Sequence, residues 1–418
     1  MYRALFIAVA CLSGAGRSLA QETDNVRARL EAGALSSLGG PQSGPAQIEE
    51  DRHRKKADSR LPGLDAFFDP QEQAKAQLRE ETGLDLSFDY QALYQVSTAS
   101  LTGRERDAAS GQARILATWE LFDPGGPNAG KLVVIGEHRH KLGTAVSPSG
   151  LAGEIGYIGV TGMTFSDHNA ILSVAYWAQQ VEAIRGGFVA GRIDPGDYTD
   201  ILGYVNPRTT FQNFATFYNQ VIPVPDPGFG VGAGGFLTDQ IFTLGVLSDA
   251  NGSLSDVEWF RAGAEFFKYA EIGWTPGPDQ RYLTNVHIGA YHVDARSDAG
   301  IGESYGVLLS GNHTIGNDIM LFGRAGWSDG PAPIARLSGT LGFMWQPDFY
   351  DDLVGISLNI ADPVTDTLPV QTTLETFYRF DVSDNIAVTA SGQLLINPAL
   401  SPAEDQIGIF GIRTRFNL

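Results

Sequence analysis

The chain has 418 residues, 50 of them Gly and only 4 Met, and 10% are aromatic. This mix fits a sheet protein with many turns better than a helical bundle. The net charge of −19 argues against nucleic-acid binding through the overall field, and the one cysteine, Cys11, excludes a disulfide-stapled fold.

Residues 1–20 are expected to be a secretory signal. Arg3 supplies the positive end, Ala4 to Leu12 a short apolar run, and Ser18-Leu19-Ala20 a cleavage site before Gln21. The run is too short to span a bilayer. Cleavage would carry Cys11 away and leave no thiol for a nucleophile or a metal site. After residue 20 no apolar stretch approaches the length of a transmembrane helix, so a membrane protein built from this chain has to be a closed barrel.

Residues 21–83 read as an extension, flexible or partly helical, before that barrel. They hold a Gly/Ser/Pro stretch, Leu35 to Gly44, and a charged run, Glu49 to Arg60. The basic group Arg52-His53-Arg54-Lys55-Lys56 reads as a solvated helix face or tether. Asp69-Pro70 followed by Gln71 to Glu81 predicts a short helix, ended at Gly83.

From Leu84 to Leu418 the period becomes two, which predicts an all-β transmembrane antiparallel barrel. Leu84, Leu86, Phe88, Tyr90, Ala92, Tyr94 and Val96 share one face. Asp85, Ser87, Asp89, Gln91, Leu93, Gln95 and Ser97 share the other, almost wholly polar. Such strands run to about ten residues, the length a tilted strand needs to cross a bilayer. Trp119, Trp274, Trp327 and Trp345 fall near strand ends, where an interfacial girdle would lie. In the last strand Phe410, Ile412, Thr414, Phe416 and Leu418 oppose Arg413, Arg415 and Asn417.

Loop lengths set the topology. Short turns are expected at Asp381 to Asn385, Thr314 to Asn317 and Leu237 to Asp239, on the periplasmic side with both termini. Longer outer connections are expected at Asp249 to Phe260, Asp362 to Val370 and Asn397 to Asp405. A plain count gives about 17 strands, an odd number where bacterial barrels are even. Glu154 to Met163 is the weakest, because Gly156, Gly159 and Gly162 stand where a spanning strand wants bulk. Folding it into an outer loop from Lys141 to His168 leaves about 16.

Asp194 to Gly228 then becomes the third outer loop, longer than a connection requires. It carries Tyr198, Tyr204, Phe211, Phe214, Phe217 and Tyr218 among Asp194, Asp197, Asp200, Arg208 and Asp226. So many rings would be costly in water, so the loop is expected to pack into the lumen as a constriction. The bland alternative packs it on the rim or on a neighbouring subunit. Rings suit the apolar faces of sugars, and carboxylates and Arg can bracket hydroxyls. The candidate pore-lining residues are Arg192, Asp194, Asp197, Tyr198, Arg208, Phe211 and Phe214, with Arg324, Glu375, Arg379 and Arg413 from polar strand faces. Arg192 shares a face with Phe188 and Ala190, which leaves its inward aim open.

Enzyme chemistry finds little support: there is no G-x-S-x-G elbow and no H-E-x-x-H. His138 and His140 share a strand face near Glu137, but no further ligands can be placed. They read as lumen or rim polar residues rather than a metal pair. No cofactor and no metal are expected.

Several pieces together resemble the carbohydrate-selective porin family (OprB-type). They are Glu375-Thr376-Phe377-Tyr378-Arg379-Phe380, Asn385-Ile386-Ala387-Val388, Asn397-Pro398-Ala399-Leu400 and Phe410-Gly411-Ile412-Arg413. Phe322-Gly323-Arg324, Ala190-Gly191-Arg192 with Asp194-Pro195, and Pro223 to Gly228 are also similar. Leu418 departs from the commoner terminal Phe. The resemblance runs from about Leu84 to Leu418. It implies a 16-stranded outer-membrane porin for passive diffusion of small solutes, with sugars and outer-membrane lipid as partners, and is compatible with a homo-oligomer. The alternative is a structural or adhesive outer-membrane barrel with a plugged lumen.

Overall fold

The computed structural model describes residues 38–53, 60–203, 205–260, 263–316, 318–347 and 352–418. The expected signal, Cys11, Arg54 to Lys56 and Tyr204 lie outside these residues. Three helices stand out: α1 (Gly44–His53), α2 (Pro62–Thr82) and α3 (Pro148–Ile155). Eight strands form the first half of the sheet: β1 (Leu84–Ser97), β2 (Asp107–Phe122), β3 (Gly130–Lys141), β4 (Asn169–Val181), β5 (Gly186–Ile193), β6 (Gly228–Phe236), β7 (Ile241–Asp249) and β8 (Phe266–Trp274). Eight more complete it: β9 (Thr284–Val293), β10 (Ser304–Ile315), β11 (Ile319–Asp329), β12 (Ala335–Trp345), β13 (Leu353–Pro363), β14 (Gln371–Ser383), β15 (Ile386–Ile396) and β16 (Gln406–Asn417).

Each strand pairs antiparallel with its neighbours in sequence, and β16 closes on β1 with Ile412 opposite Tyr94 and Phe416 opposite Tyr90. The fold is a closed 16-stranded barrel. The period of two decides which side faces where. On β1, Phe88, Tyr94 and Val96 are exposed outward, while Asp85, Ser87, Asp89, Gln91 and Gln95 are buried within. On β16, Phe410 and Ile412 point out and Arg413 and Arg415 point in. An Arg facing lipid at mid-bilayer would cost on the order of 2–4 kcal/mol, so the alternation fixes the register. Trp119, Trp274, Trp327 and Trp345 are exposed at strand ends, as expected for a girdle.

Turns on the rim that carries the C-terminus are short, as at 237–240, 316–318 and 384–385. Connections on the opposite rim are mostly longer, including 142–168, 194–227 and 250–265. Glu154 to Met163 is not a strand. Gly156 takes φ 71° and caps α3, and Gly159 takes φ 146°. The barrel is not of uniform height: β2 has 16 residues and β5 has 8.

The extension departs from expectation twice. Helix α2 begins at Pro62 rather than after Asp69, and carries Pro70 inside it. Pro62 lies in the first turn, where a missing N–H costs nothing. Phe68 packs on Phe416 at 5.2 Å between centroids, tertiary support that helps the helix tolerate Pro70. Its end matches: Gly83 takes φ 72° and donates its N–H to the Arg79 carbonyl. The second departure is larger. Residues 39–48, in the extension expected to precede the barrel, are buried inside it, while Glu49 to Asp51 are half-buried. A polar lumen makes this tolerable, because the wall supplies partners; Asp51, for example, pairs with Arg415 at 3.3 Å.

Candidate functional site

The third long connection, 194–227, folds inward and fills much of the lumen. Its aromatic residues explain part of the descent. Phe211 is buried with its ring edge-on to Phe377 at 4.9 Å and to Phe322 at 5.7 Å. Phe217 is buried in the same cluster. Phe214 and Tyr218 are half-buried and pack against each other, tilted, with centroids 5.5 Å apart.

Polar side chains from the strands clamp the loop backbone. Glu375 on β14 accepts from the Gln212 and Asn213 amides at 2.6 and 3.1 Å. Arg413 on β16 donates to the Pro207 and Thr210 carbonyls at 2.8 and 3.1 Å. Arg324 on β11 donates to the Asp200 carbonyl at 2.9 Å, to that of Thr216 at 3.1 Å, and to that of Phe217. The Asp200 carboxylate meets Arg324 Nε at 3.3 Å and His287 Nε2 at 3.0 Å. Burial alone would raise the Asp200 carboxyl; Arg324 and His287 hold it below its ordinary value. These strand residues, read from sequence as lining open water, are bound up in holding the loop. Arg379 is buried too, paired with Asp381 at 3.1 Å.

A second connection supports the first. After α3, residues 157–163 run against the inward loop. Tyr157 donates to Asn213 Oδ1 at 2.9 Å, and the Met163 amide donates to the Gln212 carbonyl at 2.9 Å. Nothing in the sequence separated this segment from an ordinary long loop.

What remains accessible is narrower than the sequence implied. Asp194, Arg208, Phe214 and Tyr218 are half-buried, while Asp197 and Tyr198 are buried. Arg208 reaches Glu137 at 3.6 Å, and Glu137 also pairs with Arg114 at 3.1 Å and Arg139 at 2.7 Å. Glu137 was noted only as a neighbour of two histidines, yet it is the hub of this cluster. The side-chain amides of Gln212 and Gln220 and Arg208 Nε have no protein partner among the described residues. Such buried polar atoms call for water or a solute hydroxyl.

Two expectations are corrected. Arg192 does not line the lumen. It shares the outward face with Phe188, and it is sealed there by the connection after β7, donating to the Leu172, Ser253 and Asp256 carbonyls. Of the lumen and rim readings of His138 and His140, the lumen one is corrected: both face outward near the end of β3, beside Tyr90, while Glu137 points in. The period of two separates them. Among the described residues no group of three His, Cys, Asp or Glu can hold a metal ion.

Burial pushes the Asp194 carboxyl up to about 6, with Asp226 and Glu137 adding to the rise against Arg208 and the Gly196 amide. The group is neutral below that pH and charged above it. Cation preference should therefore fall as pH is lowered from about 7.5 to 5. Reversal potentials under a KCl gradient measure this. Asp194→Asn should match the acid value at both pH values; a parent-to-variant difference that persists unchanged at the lower pH would refute the assignment.

Residues 277–418 match a known sequence family described as carbohydrate-selective porin, OprB family. The OprB resemblance read from the strand motifs is thus met independently over the last third of the chain. No curated protein matches. Among solved structures, the high-pH structure of Pseudomonas putida OprB is similar with a TM-score of 0.65 at 12% identity, covering 83% of this chain and 97% of that one. A mutant Rh. blastica porin is similar with a TM-score of 0.49 at 11% identity, covering 80% of this chain and 100% of that one. The likeness to the OprB structure is one of fold, and it extends well beyond the matched segment.

Proposed function

We propose that this barrel is a bacterial outer-membrane porin that passes small polar solutes by diffusion, and that carbohydrates are among them. The carrying observation is the inward loop, which leaves two aromatic rings, Phe214 and Tyr218, half-accessible beside Asp194 and Arg208. Rings offer a face to the apolar side of a sugar, and the charged pair offers partners to hydroxyls. The matched family supports the choice of solute. In this reading the rim with the C-terminus faces the periplasm and the long connections face outward.

Swelling of vesicles containing the purified protein tests it. Monosaccharides should enter faster than disaccharides, and both faster than in protein-free vesicles. Rates equal to the protein-free control would instead favour a structural barrel with a plugged lumen. That rival has one observation behind it, the burial of residues 39–48 inside the barrel.

A further inference from the structure

We infer that residues 38–53 are a tethered plug, seated in the lumen against the inward loop and able to withdraw toward the periplasmic rim. The inference rests on the channel reading above. The seat is specific. The Gly40 amide donates to the Asp197 carbonyl at 2.8 Å, and Gln42 Nε2 to the Gly196 carbonyl at 3.0 Å. Tyr282 donates its hydroxyl to the Gly39 carbonyl at 2.9 Å, and Arg114 donates to Gln47 Oε1 at 2.6 Å. The fit is close: a Cβ on Gly40 would stand 2.6 Å from Ile201 Cγ2, and one on Gly44 would stand 2.5 Å from Ile135 Cδ1. The segment thus covers Gly196 and Asp197, at the head of the loop that forms the constriction.

The bonding is of a kind that exchanges. The contacts named above are hydrogen bonds, joined by the Asp51–Arg415 pair, and Ile48 is the one large apolar side chain of α1 buried against the wall. Hydrogen bonds of this kind trade against water at small net cost. The tether favours return. Arg60 is fixed at the rim by Asp352 at 2.8 Å and lies 3.8 Å over the Phe380 ring. Only six residues separate the segment from that anchor, so a withdrawn segment stays close to its seat. A segment that occupies the lumen and lies on the constriction narrows any path past it. Its withdrawal widens that path.

Two variants of the full chain test this in planar bilayers. Deleting residues 38–53 should raise mean single-channel conductance about twofold or more. Migration in cold detergent gels, shifting only on boiling, shows whether the deleted chain is folded. The second variant pairs Gly40→Cys with Ile201→Cys, whose closeness suits a disulfide. Oxidised with diamide, it should hold the low-conductance state; dithiothreitol should raise the conductance in the same bilayer. A folded deletion that conducts like the parent overturns the plug and leaves the channel reading intact. So does a cross-linked protein whose conductance is unchanged on reduction, and this arm decides if the deletion does not fold. Parent and variants that are all silent to ions and sugars overturn the channel reading and the plug together.

Discussion

A chain lacking Thr209 to Gln220 should conduct ions about twofold better or more and lose its discrimination among sugars. The segment includes Phe211, Phe214, Phe217 and Tyr218, and its backbone takes the clamps of Glu375, Arg324 and Arg413. Removal returns those three side chains to water, which can satisfy them, so the barrel should survive. Sugar bound in the parent channel should block ion current only at millimolar levels, about −4 kcal/mol, because a solute has to leave as readily as it enters. The block should weaken with the deletion. If conductance and block both stay at parent values, the loop is not the filter, and the cluster of Glu137, Arg114 and Arg139 becomes the next place to look.

Removing Phe416 to Leu418 should cut the yield of inserted, heat-modifiable barrel by about tenfold or more. These residues are part of the seam. Phe88 and Leu418 exchange both backbone hydrogen bonds, at 2.6 and 2.7 Å, and the Asn417 amide donates to the Asn385 carbonyl. Phe416 also packs on Phe68 and Phe88. Without them the Phe88 backbone loses its partner on the β16 side, and the closing strand stops short of the rim, leaving the start of β1 as an open edge. Gel shift on boiling, measured on isolated outer membranes, reads the result; parent-level yield would show that the remaining seam from Ile409 to Arg415 suffices.

The barrel was legible because its rule is local. Each strand reports its own two faces through alternation, and the end of the chain reports closure. Even the rejected strand at Glu154 to Met163 was legible, since Gly156 and Gly159 take positive φ. The site was legible only in outline. Composition placed the loop inside, but could not tell that Phe211 would be spent on packing and Phe214 left accessible. Arg324, Glu375 and Arg413 were recognisably inward, yet whether an inward charge meets water or a loop carbonyl depends on what the lumen holds. Arg192 shows the opposite failure. Parity placed it on the outward face with Phe188, and the functional reading overrode parity. The burial of residues 39–48 could not be read at all: their polarity suits bulk water and a polar lumen equally.

The unequal strands carry a consequence for the lipid. The eight residues of β5 rise about 26 Å along the strand, or about 20 Å once tilted by ~40°. That falls short of the apolar band of about 25 Å typical of such barrels. On the same wall the Arg192 guanidinium, capped by carbonyls of a folded-down connection, brings polar groups lower than elsewhere on the circumference. Nearly across the ring, β14 stands taller, with 13 residues. A bilayer of even thickness cannot match both sides. Beside β5 the acyl chains have to shorten, or the barrel axis has to lean toward its low side, so the protein gives its surrounding membrane a fixed direction.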